Sequence, residues 1–107
     1  MNEPMNLEKP SFRRRRAIAR ARLAVEDLRS LGVEAKVVGS LARGTFNDRS
    51  DVDFLVVSCP AHLKYAIEGS VEDRMEEIPF DVIYLDEIPA SKLERFTRDA
   101  VDASRLL

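Results

Sequence analysis

Cysteine, histidine and tryptophan are nearly missing from this chain, with one Cys, one His and no Trp among 107 residues. A single thiol, Cys59, closes no internal disulfide, and with only His62 to join it there is no Cys/His zinc site of ordinary ligand number. Any metal must be held by carboxylates. Long apolar runs are missing too, and the leading MNEPMNLEKPSFRRRR has no hydrophobic segment. Neither a membrane-spanning helix nor a secretory signal is therefore expected, and the chain reads as cytoplasmic. Glycine and proline are sparse, four and five, beside 45% hydrophobic and 34% charged residues, which excludes fibrous and disordered classes. The length fits one domain, with residues 1–11 as a polar leader and 12–107 as the folded unit.

A strong excess of charge of one sign is also absent, since the net charge is −2. The distribution is uneven: residues 1–30 hold eight Lys/Arg against four Asp/Glu, and the remainder nine against fifteen. The run Arg13 to Arg16, continued by Arg20 and Arg22, invites comparison with phosphate-neutralising patches, but no aromatic residues are interleaved with it. A solvated helix face or a flexible arm fits it better, a docking surface for an acidic partner is a second reading, and nucleic acid is not required.

Periodicity supplies the elements. Ile18, Ala21, Val25 and Leu28 form one stripe of a helix over about 12–30, which Gly32 can terminate. Val33–Val38 and Asp51–Val57 are strand-like, and so is Phe80–Leu85. Pro60 to about Glu77 is expected to be helical, with Gly69-Ser70 as the natural place for a break. After Pro89, Ser91 and Glu94 read as a capping box opening a last helix with a broad apolar face. The expected fold is α/β (α+β): one small mixed sheet flanked by helices.

The chemistry gathers in VVGSLARGTFNDRSDVDFLVV, residues 37–57. A strand that stops at Gly39-Ser40 and turns into LARG can present backbone amides to an anion, with the Ser40 hydroxyl and the Arg43 guanidinium nearby. Taken alone, the Gly-Ser pair also suits an ordinary strand-to-helix turn. Asp51 and Asp53 are one residue apart on a strand, so both carboxylates share a face opposite Val52, Phe54 and Val56. Two such charges repel, and one pKa rises unless a cation lies between them; a hard oxygen-seeking ion, Mg²⁺, answers that need. Asp81 opens another apolar strand, and three carboxylates would converge if the two strands run side by side in one direction. Three acidic groups beside a phosphate turn are what two-metal phosphoryl or nucleotidyl transfer uses.

Gly39-Ser40, ten intervening residues and Asp51-Val52-Asp53 resemble the G-S-x10-D-x-D signature of the nucleotidyltransferases of the DNA polymerase β superfamily, and GSLARG is similar to the form in its minimal members. Chance places those four residues at that spacing in on the order of one such chain in a thousand. The resemblance covers about residues 15–105. It implies that Gly39 and Ser40 hold nucleotide phosphates, with Arg43 and Ser50 as further contacts. It also implies that Asp51 and Asp53 bind two Mg²⁺ ions, and that Asp81 shares a metal and helps activate the acceptor hydroxyl. In short members it implies an antitoxin that transfers AMP from ATP to a tyrosine of a HEPN-type toxin in a hetero-oligomer. The rival readings are a transferase acting on a small molecule such as an aminoglycoside, and a nucleotide-binding module that acts by masking its partner. His62, Cys59 and the acidic cluster Glu72, Asp73, Glu76 and Glu77 are expected to be structural or solvated.

Overall fold

The computed structural model describes residues 9–106. Helix α1 (Pro10–Ser30) starts two residues before the periodicity suggests, because Pro10 suits a first turn whose N–H groups have no partner within the helix. It ends as Gly32 allows. Gly32, at φ +85°, donates to Arg29 O at 3.0 Å and Val33 donates to Leu28 O at 2.9 Å, closing the helix on its last carbonyls. The buried stripe of α1 is Ala17, Ile18, Ala21, Ala24, Val25 and Leu28, and its alanines let the helix axis approach its neighbours closely.

Three strands follow: β1 (Glu34–Val38), β2 (Val52–Ser58) and β3 (Phe80–Tyr84), in spatial order β1-β2-β3. β1 pairs antiparallel with β2, and β2 pairs parallel with β3. Period-two alternation divides the sheet. Val37, Val52, Phe54 and Val56 enter the core beneath α1 and helix α3 (Ile67–Met75), which contributes Ile67, Val71 and Met75. Asp53 and Asp81 fall on the opposite face, in register with each other. Burying Phe54, fully inaccessible at the centre, contributes roughly 2–3 kcal/mol.

Two expectations change. The stretch 60–77 is not one helix: a 3₁₀ turn at Ala61–Leu63 is separated from α3 by a bend, and Gly69 lies inside α3 rather than breaking it. The bend falls at Tyr65, which has φ +73°. The Tyr65 N–H donates to Tyr84 Oη at 3.1 Å, and the Tyr65 hydroxyl donates to Glu87 at 2.5 Å, so contacts from about twenty residues away override local helix preference. The last helix is likewise cut down to α4 (Leu93–Thr97), between 3₁₀ turns at Ala90–Lys92 and Ala103–Arg105. Val101 exchanges two 2.9 Å backbone hydrogen bonds with Val37, and this bridge draws the chain out of helical geometry along the free edge of β1. Ser91 therefore sits in a 3₁₀ turn and caps nothing; the residue before α4 is Lys92, with no side-chain capping bond.

The arginine run is distributed among the surrounding segments. Arg13 donates to Asn47 O and Ser50 O and stacks over Phe46 at 5.4 Å. Arg20 pairs with Glu76 at 2.9 Å, and Arg22 donates to the carbonyls of Ala103 and Leu106. In α3, Arg74 forks onto Asp27 of α1 at 2.6 and 3.2 Å. These side chains serve as tethers, so Arg13, Arg20 and Arg22 of the basic run are engaged within the fold.

Candidate active site

The site begins where β1 ends. Val38 is extended, Gly39 takes φ +76°, and the chain enters the short helix α2 (Gly39–Arg43), which Gly44 closes at φ +84°. Gly39 is required twice over. Its φ is one that side chains rarely tolerate, and a Cβ there would run into the Asp53 carboxylate, lying 3.3 Å from Cγ and closer still to Oδ2. The glycine thus makes the space that Asp53 occupies. Ser40 is half-buried; it is not the N-cap, which is Val38, and its hydroxyl makes no hydrogen bond with another described residue.

The loop after α2 leads to the aspartates. Phe46 is buried, Arg49 N–H donates to Asn47 Oδ1 at 2.8 Å, and Asn47 N–H donates to Ser50 Oγ at 2.9 Å. Ser50, expected at the triphosphate, thus has its hydroxyl engaged in shaping this turn. Asp51 is exposed just before β2, and Val52 N–H donates to Pro79 O at 3.0 Å, which ties the start of β2 to the start of β3. Asp53 is half-buried on β2 and lies opposite the exposed Asp81 on β3, across one inter-strand spacing of about 4.8 Å.

Burial pushes the Asp53 carboxyl up to about 6, with repulsion from Asp81 and then Asp51 adding to it and Arg43 opposing. This is the signature of a carboxylate placed where a cation would relieve it. Arg43 itself is half-exposed and pairs with Asp99 at 3.5 Å. Among the described residues no three His, Cys, Asp or Glu side chains close into a metal cage. The donors present nevertheless suit Mg²⁺, which keeps several waters and takes one or two carboxylates together with substrate phosphates. Two aspartates in register, with a third preceding them, form such an open, hard-oxygen edge.

A cavity of about 360 Å³ adjoins these groups. Gly39, Asp53 and Ile83 border it from the sheet and Phe96 from α4. The model of the nucleotidyltransferase domain matches residues 18–106, from the third turn of α1 through the 3₁₀ turn that follows Val101. The chain belongs to the nucleotidyltransferase domain family. A solved structure assigned as a minimal nucleotidyltransferase shares 26% identity over 94% of this chain and 98% of that one, with a TM-score of 0.54. No functionally curated protein matches.

Nucleotidyltransferase domains generally use nucleoside triphosphates and divalent metal ions. In this nucleotidyltransferase the structure brings Gly39, Arg43 and Asp53 to one cavity, with Asp81 beside Asp53 in the sheet. Cys59 packs partly against the core after β2 and His62 is exposed in the 3₁₀ turn, both toward the opposite end of β2. Arg95 and Arg98 also border the cavity, and periodicity did not single them out. Their spacing resembles any outer helix face, and it is long-range contacts that fold this segment back toward the site: the Val37–Val101 bridge, Lys36 with Asp102 at 2.9 Å and Arg43 with Asp99 at 3.5 Å.

Proposed function

We propose that this nucleotidyltransferase transfers AMP from ATP to a tyrosine hydroxyl of a HEPN-type toxin partner, and so acts as its antitoxin. The observation that carries the reading is the alignment of Asp53 with Asp81 beside the glycine that makes room for Asp53. Its narrower part, the toxin partner and the adenylyl group, rests on the GSLARG form of the signature.

Gly39 and Ser40 would receive the β- and γ-phosphates, the hydroxyl of Ser40 being available to donate. Arg43 would exchange its pairing with Asp99 for phosphate oxygens. Asp51, Asp53 and Asp81 would hold Mg²⁺; when bound, two ions neutralise the carboxylates and the triphosphate and favour in-line displacement. The acceptor oxygen attacks the α-phosphorus as the bond from that phosphorus to pyrophosphate breaks. The hydroxyl proton passes to the Asp81 carboxylate and on to solvent, leaving an AMP ester and pyrophosphate. Half-burial of Asp53 on the sheet limits the freedom of its carboxylate, so its position is set before substrate arrives.

The test is transfer of label from α-labelled ATP, with Mg²⁺, to the partner chain, comparing the native protein with Asp53→Ala. Label on the partner that is lost in Asp53→Ala supports the reading. Silencing of the partner by both proteins without label would mean that the domain acts by occlusion, and label on a soluble acceptor alone would mean a small-molecule transferase.

A further inference from the structure

Two arginines outside the G-S and D-x-D signature border the same cavity as Asp53. Arg95 lies in α4 and Arg98 directly follows it, and both line the side of the cavity away from the sheet. The Arg95 side chain makes no hydrogen bond or ion pair with another described residue. Among the described residues the Arg98 guanidinium meets only Glu94, one helical turn earlier, at 3.8 Å and with both side chains mostly exposed. Such a pair contributes little.

Among the described residues, neither guanidinium is therefore taken up by a close ion pair. Lys64 offers a contrast: it stands on the wall of the larger cavity at the far end of the sheet, about 470 Å³, and Asp86 and Glu87 already hold it. The carboxylates of the active site can reach a triphosphate, through metal, from the sheet side alone. Its remaining oxygens need cations on the opposite wall, and a planar guanidinium matches phosphate oxygens in pairs. The bridge between Val101 and Val37 fixes the end of this segment against β1, so the arginines are carried to the cavity by the fold and not by a free tail.

We propose that Arg95 and Arg98 bind the triphosphate from the side opposite Asp53, an inference that rests on the nucleotidyltransferase reading of the site. Residues 93–99 then form a wall of the nucleotide pocket, and Asp99, paired with Arg43, holds a third guanidinium ready beside them.

Calorimetry in Mg²⁺ buffer with ATP and with inorganic tripolyphosphate tests this, comparing the native protein with Arg95→Gln/Arg98→Gln. The double variant is expected to bind both ligands roughly tenfold more weakly. Arg29→Gln, at the far end of α1, is expected to bind like the native protein, and Arg95→Lys/Arg98→Lys to recover part of the affinity through retained charge. Binding of both ligands by the glutamine variant as tightly as by the native protein would overturn the inference and leave the nucleotidyltransferase function standing. Failure of the native protein itself to bind ATP would overturn both.

Discussion

Gly39→Ala is the substitution whose cost can be worked out most directly. At φ +76° a non-glycine residue pays a conformational penalty of about 1 kcal/mol, net of its effect on the unfolded chain. The new methyl also displaces the Asp53 carboxylate, an overpacking of roughly 1–3 kcal/mol. Gly44 separates the two contributions. It has a similar φ of +84°, but a Cβ there meets nothing within 4 Å, so Gly44→Ala should cost only the first. Urea denaturation should therefore place Gly39→Ala about 2–4 kcal/mol below the native protein and Gly44→Ala about 1 kcal/mol below it. In an Asp53→Ala background the Gly39→Ala cost should fall to that of Gly44→Ala, a coupling of at least about 1 kcal/mol. Equal costs at the two glycines, or a Gly39→Ala cost indifferent to residue 53, would refute the claim that Gly39 makes the space for Asp53.

Asp53 also sets a pH dependence. Its folded pKa, raised from 3.8 to about 6, means that the native state holds the proton more tightly, so in EDTA the contribution of Asp53 to stability is greatest below pH 4 and falls as pH rises toward 6. After discounting for solvent screening the fall is roughly 1–2 kcal/mol, and urea titrations of Asp53→Asn should lack it. Mg²⁺ should raise the melting temperature of the native protein at pH 7.5 but not that of Asp53→Asn, as read by calorimetry with and without EDTA. Arg13→Ala should cost about 1–2 kcal/mol and speed hydrogen exchange across residues 46–50, whose carbonyls and Phe46 ring it holds. Val101→Pro removes the N–H that bonds Val37, and should make residues 93–106 open to limited proteolysis while β1 and β2 stay protected.

What could be read in advance was whatever local chemistry dictates. Alternation along β2 assigned Val52, Phe54 and Val56 to one face and Asp53 to the other, and the three-to-four spacing in α1 named Ile18, Ala21, Val25 and Leu28 of its buried stripe, without Ala17 and Ala24. Gly39 was legible as a turn, although its contact with Asp53 depends on pairing between strands that no single segment encodes. The bend at Tyr65 was not legible, because Tyr84 and Glu87 hold it from far along the chain. Nor was the shortening of the last helix to Leu93–Thr97. Leu93, Phe96 and Ala100 have helical spacing, but two backbone bonds to Val37 outweigh it and bring Arg95 and Arg98 round to the site.

The arginines of α1 have a consequence for how this domain tolerates change. Arg13 and Arg22 are nine residues apart, a separation of roughly 13–14 Å along a helix. One grips the loop that delivers Asp51; the other grips the chain end beyond Val101. α1 is in effect a gauge block, setting the distance and angular phase between two segments that do not otherwise meet through it. One residue inserted between these arginines would rotate one grip by about 100° relative to the other. The helix could then keep its grip on the loop before Asp51 or on the carbonyls of Ala103 and Leu106, but not both, although the insertion would lie outside the site and leave its aspartates unchanged.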